Sequence, residues 1–164
     1  MRLLENRHTG SLIFAAILGA CGGGGSANGT DAAGGGACGT PVTNPAAQIH
    51  KMSHAGPPPA MTGGTVVDGT YFLTAMDTYN GATGDSVHQE DWTFTAGVVT
   101  VLSTEPGMAE IHASGTYMMS GTTLNVALTC GVTATLANAY TATAAQLVTV
   151  NQGDSNELHT FTKQ

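Results

Sequence analysis

Three pairs of acidic and imidazole side chains carry the spacing most suggestive of chemistry. His88 and Glu90, Glu110 and His112, and Glu157 and His159 each stand two residues apart. On an extended strand that spacing sets both side chains on one face. Neutral imidazoles and carboxylates are ligands that Zn²⁺ accepts, so three such strands lying together would offer six ligands to a metal or an enzyme centre. The plainer reading, which we prefer, is that solvent-facing sheet positions need polar residues and that opposite charges on neighbouring strands are mildly stabilising. His50 and His54 would share a helical face, but no Glu of the HExxH kind lies between them and no third ligand is near. No GxSxG or SxxK nucleophile motif occurs. Glu90 and Asp91 would point to opposite faces of a strand, which suits them poorly to shared acid–base work. The chain therefore reads as non-catalytic and without a cofactor.

The aromatic residues form the second group. Tyr71, Phe72, Trp92, Phe94, Tyr117, Tyr140 and Phe161 all fall in β-prone runs. Their default role is core packing. A ligand cage would reuse Tyr71, Trp92, Phe94, Tyr117 and Phe161.

The elements that must hold these residues are strands. Charged residues make up only 9% of the chain, and Gly, Thr, Ala and Ser replace them. β-branched Thr and Val suit a pleated surface, while the Lys/Glu pairs that support helices are scarce. From Thr65 onward, β-prone runs alternate with Gly-containing turns. The runs cover 69–79, 87–95, 98–103, 109–119, 123–130, 139–143, 146–150 and 157–162. Leu124, Val126, Leu128 and Cys130 alternate with Asn125, Ala127 and Thr129, as in a half-buried antiparallel strand. About eight strands joined by hairpin-length loops predict an all-β domain, an antiparallel up-and-down barrel or a sandwich. A barrel removes the exposed edges that short Thr/Val strands would otherwise present. Inward positions are expected at Tyr71, Leu73, Trp92, Phe94, Val99, Val101, Leu124, Val126, Leu128, Leu147 and Phe161. The small residues between them leave room for a modest apolar cavity and a small hydrophobic ligand. The alternative is a filled core whose outer face binds a cell-envelope protein.

The first part of the chain is different. Arg2 and Arg7 precede the apolar stretch 11–19, which is shorter than the roughly 20 residues a membrane span takes. This predicts an export signal over residues 1–20. Residues 22–39 are Gly-rich and low in complexity, and read as part of a tether over 21–63. Within it, 44–54 is expected to form a short helix, with Asn44 capping and Pro45 at the first helical position. Beyond the export signal only Lys51 and Lys163 are basic, against ten acids. A nucleic-acid partner is excluded, because it requires a cationic face, and so is adhesion to anionic lipid through a basic patch.

Leu18-Gly19-Ala20-Cys21 resembles the bacterial lipobox. The resemblance implies cleavage after Ala20, a lipid on the Cys21 sulfur, and anchorage to a bilayer of the bacterial cell envelope. Gly22 stands where Asp would retain an enteric lipoprotein in the inner membrane, which favours the outer membrane. With Cys21 lipidated, Cys38 and Cys130 remain, an even number in an oxidising compartment. They are expected to pair; the alternative is a buried free thiol at Cys130.

Gly69-Thr70-Tyr71 resembles the Gly-x-Trp that opens the first strand of lipocalins, with Tyr in place of Trp. Gly115-Thr116-Tyr117, Ser120-Gly121-Thr122-Thr123-Leu124, Ala145-Gln146-Leu147 and the Phe161-Thr162-Lys163 ending are similar to the rhythm of bacterial lipocalin-like lipoprotein domains. The resemblance covers 64–164 and implies a lipocalin-like barrel.

Overall fold

The computed structural model describes Cys38 and residues 48–81, 86–151 and 156–164. The expected export signal, Cys21 and most of the expected tether lie outside the described residues.

All regular structure among the described residues is β, in nine strands of one sheet. They are β1 (Ile49–Ser53), β2 (Gly69–Thr78), β3 (Val87–Thr95), β4 (Val98–Thr104), β5 (Ile111–Ser120), β6 (Thr123–Cys130), β7 (Ala134–Ala142), β8 (Gln146–Val150) and β9 (Glu157–Lys163). From β2 to β9 each strand pairs antiparallel with the next, and β9 pairs antiparallel with β2 from Tyr71↔Lys163 to Thr78↔Glu157. The sheet thus returns to its own first long strand and is barrel-like, as short Thr/Val strands require if their edges are to be covered.

Local chemistry sets the turns. Ala96 (φ 49°) and Gly97 (φ 84°) are both left-handed, as the two-residue turn between β3 and β4 demands. Gly115 lies where β5 crosses close to β6, and a Cβ there would collide with the Ala127 carbonyl.

Period-2 alternation builds the interior. Every inward position expected from the sequence is buried in the core. Tyr71, Phe94, Leu124, Tyr140 and Leu147 gather at one end. There the segment 63–67 packs across: Tyr140 Oη donates to the Gly64 carbonyl at 2.6 Å and Tyr71 Oη to the Val67 carbonyl at 2.7 Å. This end is closed and apolar.

Three expectations are corrected. The short helix over 44–54 is not formed in its described part, where Ile49–Ser53 is strand β1. β2 and β3 pair only along Gly69–Phe72 and Asp91–Phe94. Beyond that they separate, and β1 enters between them, parallel to β2 (Lys51↔Met76) and antiparallel to β3 (Ile49↔His88). Backbone groups left open by two diverging strands outweigh the helix preference of one turn. The second correction follows. Residues 49–63, expected as tether, belong to the folded body, with His54 N donating to Thr78 O at 2.7 Å and Gly63 N to Tyr140 O at 2.8 Å. β7 also begins at Ala134, five residues before the run expected from 139.

Cys38 and Cys130 are joined by a disulfide across a sequence separation of 92. Cys130 ends β6 at the opposite end from the closed one, so Cys38 is pinned beside the open end.

Candidate functional site

The open end is assembled from the polar ends of inward-facing rows. On β3 the row runs His88, Glu90, Trp92, Phe94, from polar to aromatic toward the closed end. On β9 it runs Glu157, His159, Phe161. The two strands flank β2, which brings their polar ends together. Between these rows and β6, β7 and β8 lies a cavity of about 60 Å³. Its floor and apolar wall come from Trp92, Phe161, Val101, Leu128, Leu136 and Met76, and its polar lining includes Asn138, Thr149 and Asn151.

One side of the cavity is a closed network of charges. Trp92 Nε1 donates to Glu90 Oε1 at 2.7 Å. Glu90 Oε2 faces His88 Nε2 at 3.2 Å and His159 Nδ1 at 3.7 Å. His159 Nε2 bonds Glu157 Oε1 at 2.9 Å, and Asn151 Nδ2 donates to the same oxygen at 2.9 Å. Glu157 Oε2 is held by an ion pair with Lys51 from β1. His88 also meets Ser103 Oγ at 3.3 Å and Glu105 Oε1 at 3.5 Å. All four carboxylate oxygens of Glu90 and Glu157 are engaged.

The electrostatics follow from this packing. Burial by itself would raise the Glu90 and Glu157 pKa values, but the bonds from His159, His88, Lys51 and Asn151 hold both below the usual range, Glu157 at about 2. Burial would lower that of His159, and the Glu157 and Glu90 carboxylates outweigh it, lifting it to about 9. At neutral pH the network thus contains two carboxylates, an imidazolium and an ammonium.

Two of the three His/Glu pairs, His88/Glu90 and Glu157/His159, converge here on the inward face, which corrects the preferred solvent-facing reading for them. The third does not. Glu110 and His112 bond each other on an exposed part of the surface. His112 pairs with Leu102, and its neighbour Ala113 is the residue that faces the core. Pairing with Leu102, which shares the outer face with Asp91, puts His112 outside. The six-ligand convergence weighed as the alternative therefore does not form, and among the described residues no group of three or more His, Cys, Asp or Glu could hold a metal ion. A metal would need deprotonated imidazoles and open carboxylate oxygens, and here protonated His159, Lys51 and Trp92 take those positions.

The aromatic group divides as well. Trp92 and Phe161 line the cavity with ring centroids 5.6 Å apart. Tyr71, Phe94 and Tyr117 do not reach it. Phe94 packs edge-on against Tyr71 at 5.6 Å and against Tyr117 at 4.8 Å toward the closed end.

Sequence reasoning missed Lys51, Asn138, Thr149 and Asn151. Lys51 stood in a segment read as helix. Asn138 preceded the expected start of β7, although its place in the alternation Leu136, Asn138, Tyr140 marks it as inward-facing. Compared with protein-family models, curated proteins and solved structures, the chain matches none.

Proposed function

We propose that this chain is a lipid-anchored lipoprotein of the bacterial cell envelope, at the outer membrane, whose lipocalin-like barrel binds a small, largely apolar molecule without catalysis. The observation that carries the binding reading is the cavity floored by Trp92 and Phe161 at the open end of an otherwise packed core. Aromatic floors with a few polar groups above them are the common make-up of small-molecule sites. The cavity is small, so the molecule is small. Support for the barrel comes from the pairing of β9 with β2, and support for the anchor from the lipobox resemblance at Leu18–Cys21. Because Cys38 is bonded to Cys130, a lipid on Cys21 would join the domain at its open end.

Two experiments test this. Trp92 is the chain's single tryptophan, so its emission reports the cavity floor. A panel of monosubstituted benzenes titrated into the full-length protein should include members that shift Trp92 emission saturably, and Leu136→Trp, which fills the cavity, should abolish their saturable binding measured by calorimetry. If no member binds a well-folded preparation, the binding reading is wrong. For the anchor, metabolic labelling with a fatty acid should mark the wild type and not Cys21→Ala; equal label in both would refute it.

A further inference from the structure

The ligand's polarity can be read from what the cavity wall leaves over. Every carboxylate oxygen of Glu90 and Glu157 already has a donor, and the cations His159 and Lys51 are engaged on those same carboxylates. Within this buried network a cationic ligand would find no open carboxylate and an anionic one no open cation; the one further acid on the lining, Glu105, stands 37% exposed beside His88, where water screens its charge. Either would bury an unpaired charge, which is strongly unfavourable.

Asn138 and Thr149 are different. Both line the cavity, at 7% and 5% exposure, yet neither side chain has a hydrogen-bond partner among the described residues. Their polar atoms are not sealed in, since Asp91 Oδ2 alone is a fully enclosed side-chain atom without a partner among the described residues; they open onto the cavity, where an occupant that displaces water must bond them or leave them unpaired at a cost. The two stand on adjacent strands. Thr149 pairs with Tyr140, two residues along β7 from Asn138, so the side chains are diagonal neighbours on one face. An amide offers both a donor and an acceptor, and a hydroxyl does the same. They face the apolar wall formed by Leu128, Leu136, Trp92 and Phe161.

We infer that the site selects a small uncharged molecule with an apolar body and one hydrogen-bonding group, a hydroxyl or carboxamide, with the body on Trp92 and Phe161 and the polar group between Asn138 and Thr149. This rests on the small-molecule reading above and specifies its ligand class. A site built to bond a polar group discriminates against an analogue that lacks it, since its own groups are then left unpaired.

The test uses the full-length protein and four probes of similar shape: benzyl alcohol, toluene, benzylammonium and benzoate, titrated by calorimetry and by Trp92 emission. Benzyl alcohol is expected to bind at least about tenfold more tightly than toluene, and the two ions more weakly than either, in keeping with one net hydrogen bond and a penalty on buried charge. Asn138→Leu and, independently, Thr149→Val should each weaken benzyl alcohol several-fold while leaving toluene unchanged or tighter. Near-UV circular dichroism establishes that each variant is folded, and either variant alone decides the point. Toluene binding as well as benzyl alcohol, or preferred binding of either ion, would overturn this inference while leaving the small-molecule reading intact. Saturable binding of none of the four would overturn both.

Discussion

Asp91 offers a direct test of the electrostatic reasoning, because it is a buried acid that the mouth network does not serve. It lies on the opposite face of β3 from Glu90, in register with Phe72 on β2 and Leu102 on β4, and is 3% exposed. Its Oδ2 has no hydrogen-bond partner. Burial, with the negative charges of Glu90 and Glu110 beside it, raises its pKa from 3.8 to about 7, against smaller lowering effects from the Leu102 backbone and His112. An acid whose folded pKa lies above its unfolded one holds a proton in the native state that the unfolded chain releases. Native stability therefore falls as pH climbs from about 4 to about 7 and is level beyond. A rise of about three pKa units corresponds to about 4 kcal/mol, an upper bound for the charge alone. Asp91→Asn keeps the shape and removes the charge, but leaves a neutral polar group still short of a partner, which costs about 1–3 kcal/mol. We expect the variant to be more stable than wild type by about 1–3 kcal/mol at pH 8, with a much smaller difference at pH 4. Urea unfolding followed by Trp92 emission at both pH values measures this. A variant no more stable than wild type at pH 8, or an equal gain at both pH values, would refute the argument.

Three further outcomes are expected. Removing the Cys38–Cys130 bond as the double Ala variant should lower stability by about 4–5 kcal/mol in the chain-entropy model for a loop of this length, read from urea midpoints; thiol titration of the denatured, unreduced wild type should find neither cysteine free. His159 has a raised pKa, so its contribution is complete below about pH 6.5 and fades as pH rises through about 9, while that of Glu157 is complete above about 4.5 and fades as pH falls through about 2; His159→Gln should cost roughly 2–4 kcal/mol at pH 6 and much less at pH 10, and a pH-independent cost would contradict the network. Ala96→Gly should raise stability by about 0.5–1 kcal/mol in thermal unfolding, because Ala occupies a left-handed backbone position at φ 49°, and a loss would argue against that turn.

Much of the architecture was legible in the residues because it depends on local chemistry. Alternation of apolar and small polar residues marked the strands from Gly69 to Lys163, the Gly-containing turns separated them, and strand parity named the buried set from Tyr71 to Phe161. The pairing of Cys38 with Cys130 followed from cysteine arithmetic once Cys21 was assigned elsewhere. What the sequence alone could not decide were matters of which strands meet and on which face. β1 is a strand because β2 and β3 diverge and leave backbone groups open, a cause distant in sequence from Ile49–Ser53. Three Glu/His pairs looked equivalent, yet two converge at the open end, and the third is turned outward by a one-residue parity that only the β4–β5 register sets. Lys51 reaches Glu157 across more than a hundred residues of chain, and Asn138 faces Thr149 only because β7 lies beside β8. Local periodicity determines which residues are buried; the closure of the sheet determines which buried residues share a cavity.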